Sequence, residues 1–353
     1  MHDYLIAPGG AERALDSLAE IFPEAPIYTA IYRPTVGLEA FAGRDIRPLW
    51  TDKLPIDQAN YRSAILAFAI AFEGLELADF DLVLSSSSGF AKSAGGAARV
   101  RCSYCYTPPR FIWPCGQTSE AASATERVGT ALIRPVLKHF DLKGARRVDS
   151  YAGISRVVVS RIRDFYGRDA TLIRPPMSLV RTDLDSPGDR EGFLTVGRLL
   201  RYKGYDQTIQ VCSAAGYPLT VVGTGPDLGR LESIAGETVR FVGRVEEAEL
   251  ARLYASASAL VVTAEEDAGL TPLEANAFGC PVVAAAHGGN LESVIDGETG
   301  ILFAPGDLTA LRSALDRVPG IGFDAEALRH HANRYGKERF RSEILDWITE
   351  AFP

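Results

Sequence analysis

Short apolar runs alternate along the chain with segments whose apolar residues recur every three or four positions, and the whole pattern occurs twice. In the first half the runs predict strands over Pro26–Ile31, Leu82–Ser85, Cys102–Tyr106, Val148–Ala152 and Thr171–Ile173. Helical spacing falls between them, over Ala11–Ile21, Gln58–Leu75, Ala121–Phe140 and Ser155–Tyr166, with Ser155 suited to cap the last. The second half predicts strands over Phe193–Val196, Leu219–Val222, Val239–Val242, Ala259–Val262, Val282–Ala285 and Gly300–Phe303. Its helices are expected to start near Gly204, Pro226, Glu246, Leu270 and Asp307.

Strands that alternate with helices predict parallel sheets covered on both faces, an α/β architecture. Between the halves, Arg174-Pro-Pro-Met177 and Asp183-Leu-Asp-Ser-Pro-Gly-Asp-Arg190 form a polar, turn-rich linker. The chain therefore reads as two doubly wound domains, residues 1–176 and 177–334, followed by a closing segment at 335–353. Ligands of such sheets bind at the carboxyl ends of the strands, so the site is expected in a cleft between two facing domains. The opening, Met1-His-Asp-Tyr-Leu-Ile-Ala-Pro-Gly-Gly10, reads as the loop after a first strand that the sequence lacks. The expectation is a truncated first sheet with exposed apolar neighbours.

A length of 353 residues with 46% hydrophobic and 23% charged residues suits two soluble globular domains. No apolar run approaches the roughly 20 residues of a membrane span, and no export signal opens the chain, so the cytoplasm is expected. The net charge of −8 argues against a general nucleic-acid binder. The excess acidity lies after Pro176, while the first half is close to neutral. Five cysteines do not read as a disulfide framework. Cys102 and Cys105 have metal-ligand spacing, but Val100–Tyr106 reads as a strand and no second ligand pair appears. Asp79-Phe-Asp81 and Asp183-Leu-Asp185 match a metal-binding acidic pattern, yet one leads into a buried strand and the other lies in the linker. No metal is expected.

Three segments carry candidate chemistry. Glu266-Asp-Ala-Gly-Leu-Thr-Pro-Leu-Glu274 follows a strand and opens a helix. Gly269 permits close backbone approach, the N–H groups of Leu270 and Thr271 would point at an anion, and Glu266 and Glu274 can accept hydrogen bonds from sugar and ribose hydroxyls. In Val196-Gly-Arg-Leu-Leu-Arg-Tyr-Lys-Gly204, Arg198 and Lys203 flank a strand-to-helix turn where two cations can converge on a phosphate. Gly223-Thr-Gly225 ends the next strand and offers another backbone approach. Pro8-Gly-Gly-Ala-Glu-Arg13 places Gly9 and Gly10 in a turn that opens a helix and suits a diphosphate or an acceptor. No GxGxxG turn with a following acidic residue supports a nicotinamide-dependent dehydrogenase.

Together these segments resemble glycosyltransferase family 4, the retaining enzymes of GT-B fold. The resemblance implies two Rossmann-like domains, and a helix from Tyr335 onward that crosses back to the first of them. It further implies that Arg198 and Lys203 neutralise the leaving diphosphate, Glu274 holds the ribose and Glu266 contacts the donor sugar. Gly9 and Gly10 would face the cleft. Ala264-Glu-Glu-Asp267, Cys105-Tyr-Thr-Pro-Pro-Arg-Phe-Ile-Trp113, Ser85-Ser-Ser-Ser88 and His287-Gly-Gly-Asn-Leu-Glu292 look like bacterial polysaccharide mannosyltransferases, which implies GDP-mannose as the donor substrate, with a UDP-sugar as the alternative. The family has histidine against the donor sugar where Tyr106 stands, and phenylalanine where Ala268 stands. These departures are also what a non-catalytic, nucleotide-binding partner subunit would show.

The expectation is a metal-independent retaining hexosyltransferase of bacterial surface polysaccharide synthesis, with no cofactor, acting on a glycan or lipid-linked acceptor. Basic residues interleaved with apolar ones across 127–147, among them Arg134, Lys138, Lys143 and Arg147, would let it rest peripherally on the inner face of the anionic cytoplasmic membrane.

Overall fold

A computed structural model describes residues 1–34, 38–57, 60–113, 124–177 and 190–352, without the side chains of 124–131. Cys115 and the second acidic pair of the linker, Asp183 and Asp185, lie outside the described residues. The described chain forms two compact units. One comprises the residues up to 113, 124–176 and 337–352; the other comprises 177 and 190–336.

In the first unit the elements run α1 (Gly10–Ile21), β1 (Ile27–Thr29), β2 (Ile46–Pro48), α2 (Ile65–Glu73), β3 (Leu82–Ser87), β4 (Val100–Cys105), α3 (Ala124–Arg147), β5 (Ser150–Gly153), α4 (Arg156–Tyr166) and β6 (Thr171–Leu172). Ser155 caps α4, its Oγ accepting from the Val158 N–H, and Gly167 ends the helix in a left-handed conformation. Strands β3, β4, β5 and β6 pair in parallel, as do β1 and β2.

The expected truncation of this sheet is corrected by the structure. His2 bridges to Thr29 on one side and Ser86 on the other, and Leu5 bridges to Tyr32. The His2 N–H donates to Tyr28 O, the Ser86 N–H to Met1 O and the Leu5 N–H to Ile31 O. Met1–Leu5 thus joins β1 to β3, giving the order β2, β1, Met1–Leu5, β3, β4, β5, β6. A few extended residues suffice because both neighbours supply backbone partners. Asp3 fastens the segment: its buried carboxylate accepts from Ser87 Oγ (3.0 Å) and from the N–H groups of Ser88 (2.7 Å) and Ala91 (2.9 Å). The closing helix of the chain, Lys337–Ala351, belongs to this unit. It buries Phe340, Ile344, Trp347 and Ile348, one face of a helix by their spacing, and Trp347 Nε1 donates to Ser150 Oγ on β5 at 2.8 Å.

The second unit contains β7 (Phe193–Val196), α5 (Tyr205–Ala215), β8 (Leu219–Val222), α6 (Leu228–Ile234), β9 (Val239–Gly243), α7 (Glu247–Ser256), β10 (Ala259–Val262), α8 (Leu270–Ala277), β11 (Val282–Ala285), α9 (Asn290–Ser293), β12 (Gly300–Phe303), α10 (Leu308–Ile321) and α11 (Ala325–Asn333), so the closing helix becomes α12. Its six strands are all parallel, in the order β12, β11, β10, β7, β8, β9. Counted from the first strand of the unit, this is the 3-2-1-4-5-6 order of a doubly wound sheet, which reverses direction between β7 and β10. Successive strand residues serve opposite cores. Phe193, Val261 and Val283 pack on one face with Ile209 and Leu311, whereas Leu194, Leu260 and Val282 pack on the other with Tyr254 and Phe278. Burial on both faces explains why these strands read as continuous apolar runs. Among the described residues no helix is long and apolar enough to cross a membrane.

Candidate active site

The strand order leaves the loops after β7 and β10 side by side at the carboxyl ends of the sheet of the second unit. Lys203 arrives on the first loop and Glu266 on the second, and Lys203 Nζ donates to Glu266 Oε1 at 2.6 Å. Both side chains are about one-fifth to one-quarter exposed. Burial pulls the Lys203 ammonium down, but Glu266 together with Tyr205 and Tyr202 outweighs it. The pKa lies above the ordinary lysine value, so Lys203 is a cation at neutral pH.

A second tie lies beneath the pair. Thr263 Oγ1, just beyond β10, is 3.0 Å from Lys203 O and 2.9 Å from Gly204 O, and donates to this backbone. Tyr205 opens α5 with its buried hydroxyl 3.4 Å from Val196 O. Lys203, Tyr205, Thr263, Glu266 and Thr271 line one pocket with the ends of β7 and β10. Neither Thr263 nor Tyr205 is marked by any motif; a short hydroxyl residue at a strand exit carries no signal of its own.

The other expected residues of this unit lie around the pair. Arg198 is exposed just after β7 and, among the described residues, makes no side-chain hydrogen bond or ion pair. Gly269 is the N-cap of α8 in a left-handed conformation (φ 65°, ψ 40°), which leaves the Leu270 and Thr271 N–H groups in the first turn. A Cβ on Gly269 would come within 2.7 Å of Gly289 O, so glycine also lets two backbones touch here. Glu274, in the same helix, is buried, and the Tyr254 hydroxyl donates to its Oε2 at 3.4 Å.

Gly223 has a packing reason to be glycine besides the ligand approach expected of it. A Cβ there, at φ 133°, would lie 1.9 Å from Gly197 O. The loops after β7 and β8 are packed backbone on backbone, and the Leu199 N–H donates to Thr224 O at 2.9 Å. The missing side chain is thus taken up by fixing the turn that carries Arg198.

Gly9, Gly10 and Tyr106 belong to the first unit. Gly9 caps α1 in an extended conformation, and a Cβ on Gly10 would meet nothing within 4 Å. Tyr106 follows β4 and is buried, its hydroxyl donating to Ala11 O (2.8 Å) at the start of α1 and lying 2.6 Å from Ser86 Oγ. Burial raises its pKa well above the ordinary phenol value, against the Ser86 hydrogen bond, so it is a neutral donor that orders the Gly9–Gly10 turn. His2 Nδ1 reaches the same Ser86 Oγ at 3.1 Å, and His2 Nε2 lies 3.6 Å from Glu12 Oε1.

Cys102 and Cys105 lie three apart on β4, which turns their side chains to opposite faces of the sheet. Burial pushes the Cys102 thiol up to about 12. Asp79 and Asp81 are exposed in the turn before β3. Among the described residues, no three His, Cys, Asp or Glu side chains are grouped to hold a metal.

The second unit is similar to known proteins. Residues 178–339 match the family of glycosyl transferases group 1. A glycogen synthase of Mycobacterium tuberculosis (strain H37Rv) is 32% identical over 224 residues, covering 58% of this chain and 53% of that protein. One from Xanthomonas oryzae pv. oryzae is 38% identical over 137 residues, covering 36% and 26%. The chain thus spans about half the length, or less, of these curated relatives. Among solved structures, sucrose-phosphate synthase from Thermosynechococcus elongatus superimposes with a TM-score of 0.73 at 18% identity over 100% of this chain and 99% of that one. Anabaena HepE in complex with UDP-glucose gives 0.70 at 18% identity, with 99% and 100% covered. The lipopolysaccharide outer core galactosyltransferase WaaB gives 0.67 at 15%, with 99% of both chains covered. The fold is GT-B, and the match to group 1 glycosyl transferases falls on the second unit.

The packing at Gly223 makes a stability prediction. Gly223→Ala should destabilise the protein by about 3 kcal/mol, combining a strained φ with overpacking. Gly10→Ala, with open space around it, should stay within about 0.5 kcal/mol of the parent or gain slightly. Urea denaturation of both variants checks the contrast; equal stability of the two would contradict the loop-on-loop assignment.

Proposed function

We propose that the chain is a retaining, metal-independent hexosyltransferase that moves a sugar from a nucleoside-diphosphate sugar to a hydroxyl of a glycan or lipid-linked acceptor in bacterial surface polysaccharide synthesis. The reading is carried by the meeting of Lys203 and Glu266 at the strand-order reversal of a sheet that matches group 1 glycosyl transferases. Such a reversal is where doubly wound sheets take nucleotides. The pair brings together a cation for phosphate and a carboxylate for sugar hydroxyls.

In this reading Arg198, Lys203 and the N–H groups of Leu270 and Thr271 take the leaving diphosphate, Glu274 takes the ribose and Glu266 the sugar. The acceptor oxygen bonds to the anomeric carbon on the face from which the diphosphate departs. As the carbon–oxygen bond to the diphosphate breaks, the departing phosphate receives the acceptor's proton, so no separate base is needed. Protein cations supply the charge that a metal would otherwise supply. Loss of one such donor lowers the rate by about 10²–10³-fold. GDP-mannose is the first donor to test, on the four mannosyltransferase-like phrases. UDP-glucose is the second, because the HepE structures hold UDP and UDP-glucose.

A second proposal concerns the acceptor. On α3, Leu132 is 77% exposed and Val136 47%, with exposed Arg134 and Lys138 beside them in sequence, while Lys143 further on is paired with Glu73 at 2.6 Å. Apolar side chains flanked by cations match an anionic lipid surface that carries a lipid-linked acceptor.

Thermal melts with GDP, UDP, GDP-mannose and UDP-glucose test the donor site. Ligand at about 100 times its Kd adds about 2.7 kcal/mol of stability. One nucleotide family should raise the Tm, and Arg198→Ala and Glu274→Ala should each abolish the rise; no rise with any of the four sinks the reading. Flotation with phosphatidylglycerol vesicles tests the surface: binding at low salt that weakens as salt rises supports it, and no binding at low salt rejects it.

A further inference from the structure

We propose that Asn290 is a positioning residue that sets the Glu266 loop against the donor sugar, an inference that rests on the reading of Glu266 given above. Asn290 opens α9 and is fully buried. Its side-chain nitrogen donates to Ala264 O at 3.0 Å, beyond the end of β10, and to Ala285 O at 3.1 Å, the last residue of β11. One amide group therefore ties the exits of two neighbouring strands together.

The adjoining residues extend the same clamp along the loop. The Gly289 N–H donates to Glu266 O at 2.6 Å, and the single Ser293 hydroxyl proton is shared between Gly289 O at 3.1 Å and Ala268 O at 3.3 Å. The loop that carries Glu266 is thus held by the segment 289–293 at two carbonyls, Ala264 O and Glu266 O, with Ser293 Oγ in reach of a third, Ala268 O. The two cations of the phosphate end sit on backbone held by other partners: Thr224 O fixes the Arg198 turn, and Thr263 fixes the backbone at Lys203.

The chemistry at Asn290 requires two donors on one atom. Both of its neighbours are carbonyl oxygens, which only accept. Aspartate has the same shape but would turn an acceptor-only oxygen toward each of them. The clamp would open, and Glu266 would lose its set position while the backbone that carries Arg198 and Lys203 kept its own. Displacements of this size by residues outside the chemistry lower rates steeply, on the order of 10²-fold per ångström.

The test compares Asn290→Asp with the parent by calorimetric titration of UDP, UDP-glucose, GDP and GDP-mannose. In the variant, affinity for the nucleoside diphosphate should stay within about threefold, while the ratio of nucleotide-sugar to nucleotide affinity falls about tenfold and transfer slows by about 10–100-fold. An unchanged ratio, or equal losses for nucleotide and nucleotide sugar, overturns the assignment and leaves Asn290 a purely structural residue. If Asn290→Asp does not fold, Ser293→Ala, which removes the hydroxyl shared between Gly289 O and Ala268 O, should show the same split at smaller size; parent-like behaviour overturns the proposal. A parent that binds none of the four ligands overturns the reading of the site itself, and this assignment with it.

Discussion

The hydrogen-bonded ion pair between Lys203 and Glu266 joins two loops that are more than sixty residues apart in sequence, and the chemistry assigned to the second unit depends on their meeting. The pair forms because the sheet reverses its strand order between β7 and β10, so that two exits become neighbours with no strand between them. Charge-assisted hydrogen bonds are among the stronger polar contacts, and here the carboxylate also keeps the lysine ionised in a partly buried place. Without a ligand each charge satisfies the other. A diphosphate entering the site would offer Lys203 a second anion, and a sugar would offer Glu266 hydroxyl donors.

The loops around the pair are held mainly by backbone contact. Glycines at 223 and 269 let neighbouring loops approach to distances that any side chain would forbid. Thr263 and Asn290 then pin the carbonyls of those loops with side-chain donors. A site built this way is ordered before ligand arrives, which is the condition under which fixed cations and N–H groups can stabilise a departing diphosphate.

Much of this was legible in the sequence where burial is two-sided. All six strands of the second unit begin where their apolar runs begin, because both faces of that sheet are covered. The GT-B fold follows from the same alternation read with the motif segments. The first unit was less legible at its edges. Three-residue β2 is too short and too exposed to produce a pattern, and Met1–Leu5 pairs on both sides without apolar alternation. α3 continues to Arg147 past the Phe140 where its apolar spacing was expected to stop. Gly223 reads in sequence as a turn after a strand, and the 1.9 Å approach of a Cβ there to Gly197 O comes from a loop that sequence does not connect to it. Tyr106 was singled out only by the resemblance, where the family has histidine, and its partners Ser86 and Ala11 come from distant segments that spacing cannot connect.

The most direct test of the account is the affinity of Glu266→Gln for GDP and UDP, measured by titration beside the parent. If Lys203 is the phosphate cation and Glu266 its partner in the absence of ligand, removing the carboxylate charge releases the lysine, and the nucleoside diphosphate that the parent binds should bind several-fold more tightly, by about the strength of one charge-assisted bond at most. Weaker binding by Glu266→Gln, or binding that Lys203→Ala leaves unchanged, would contradict the central role given to this pair.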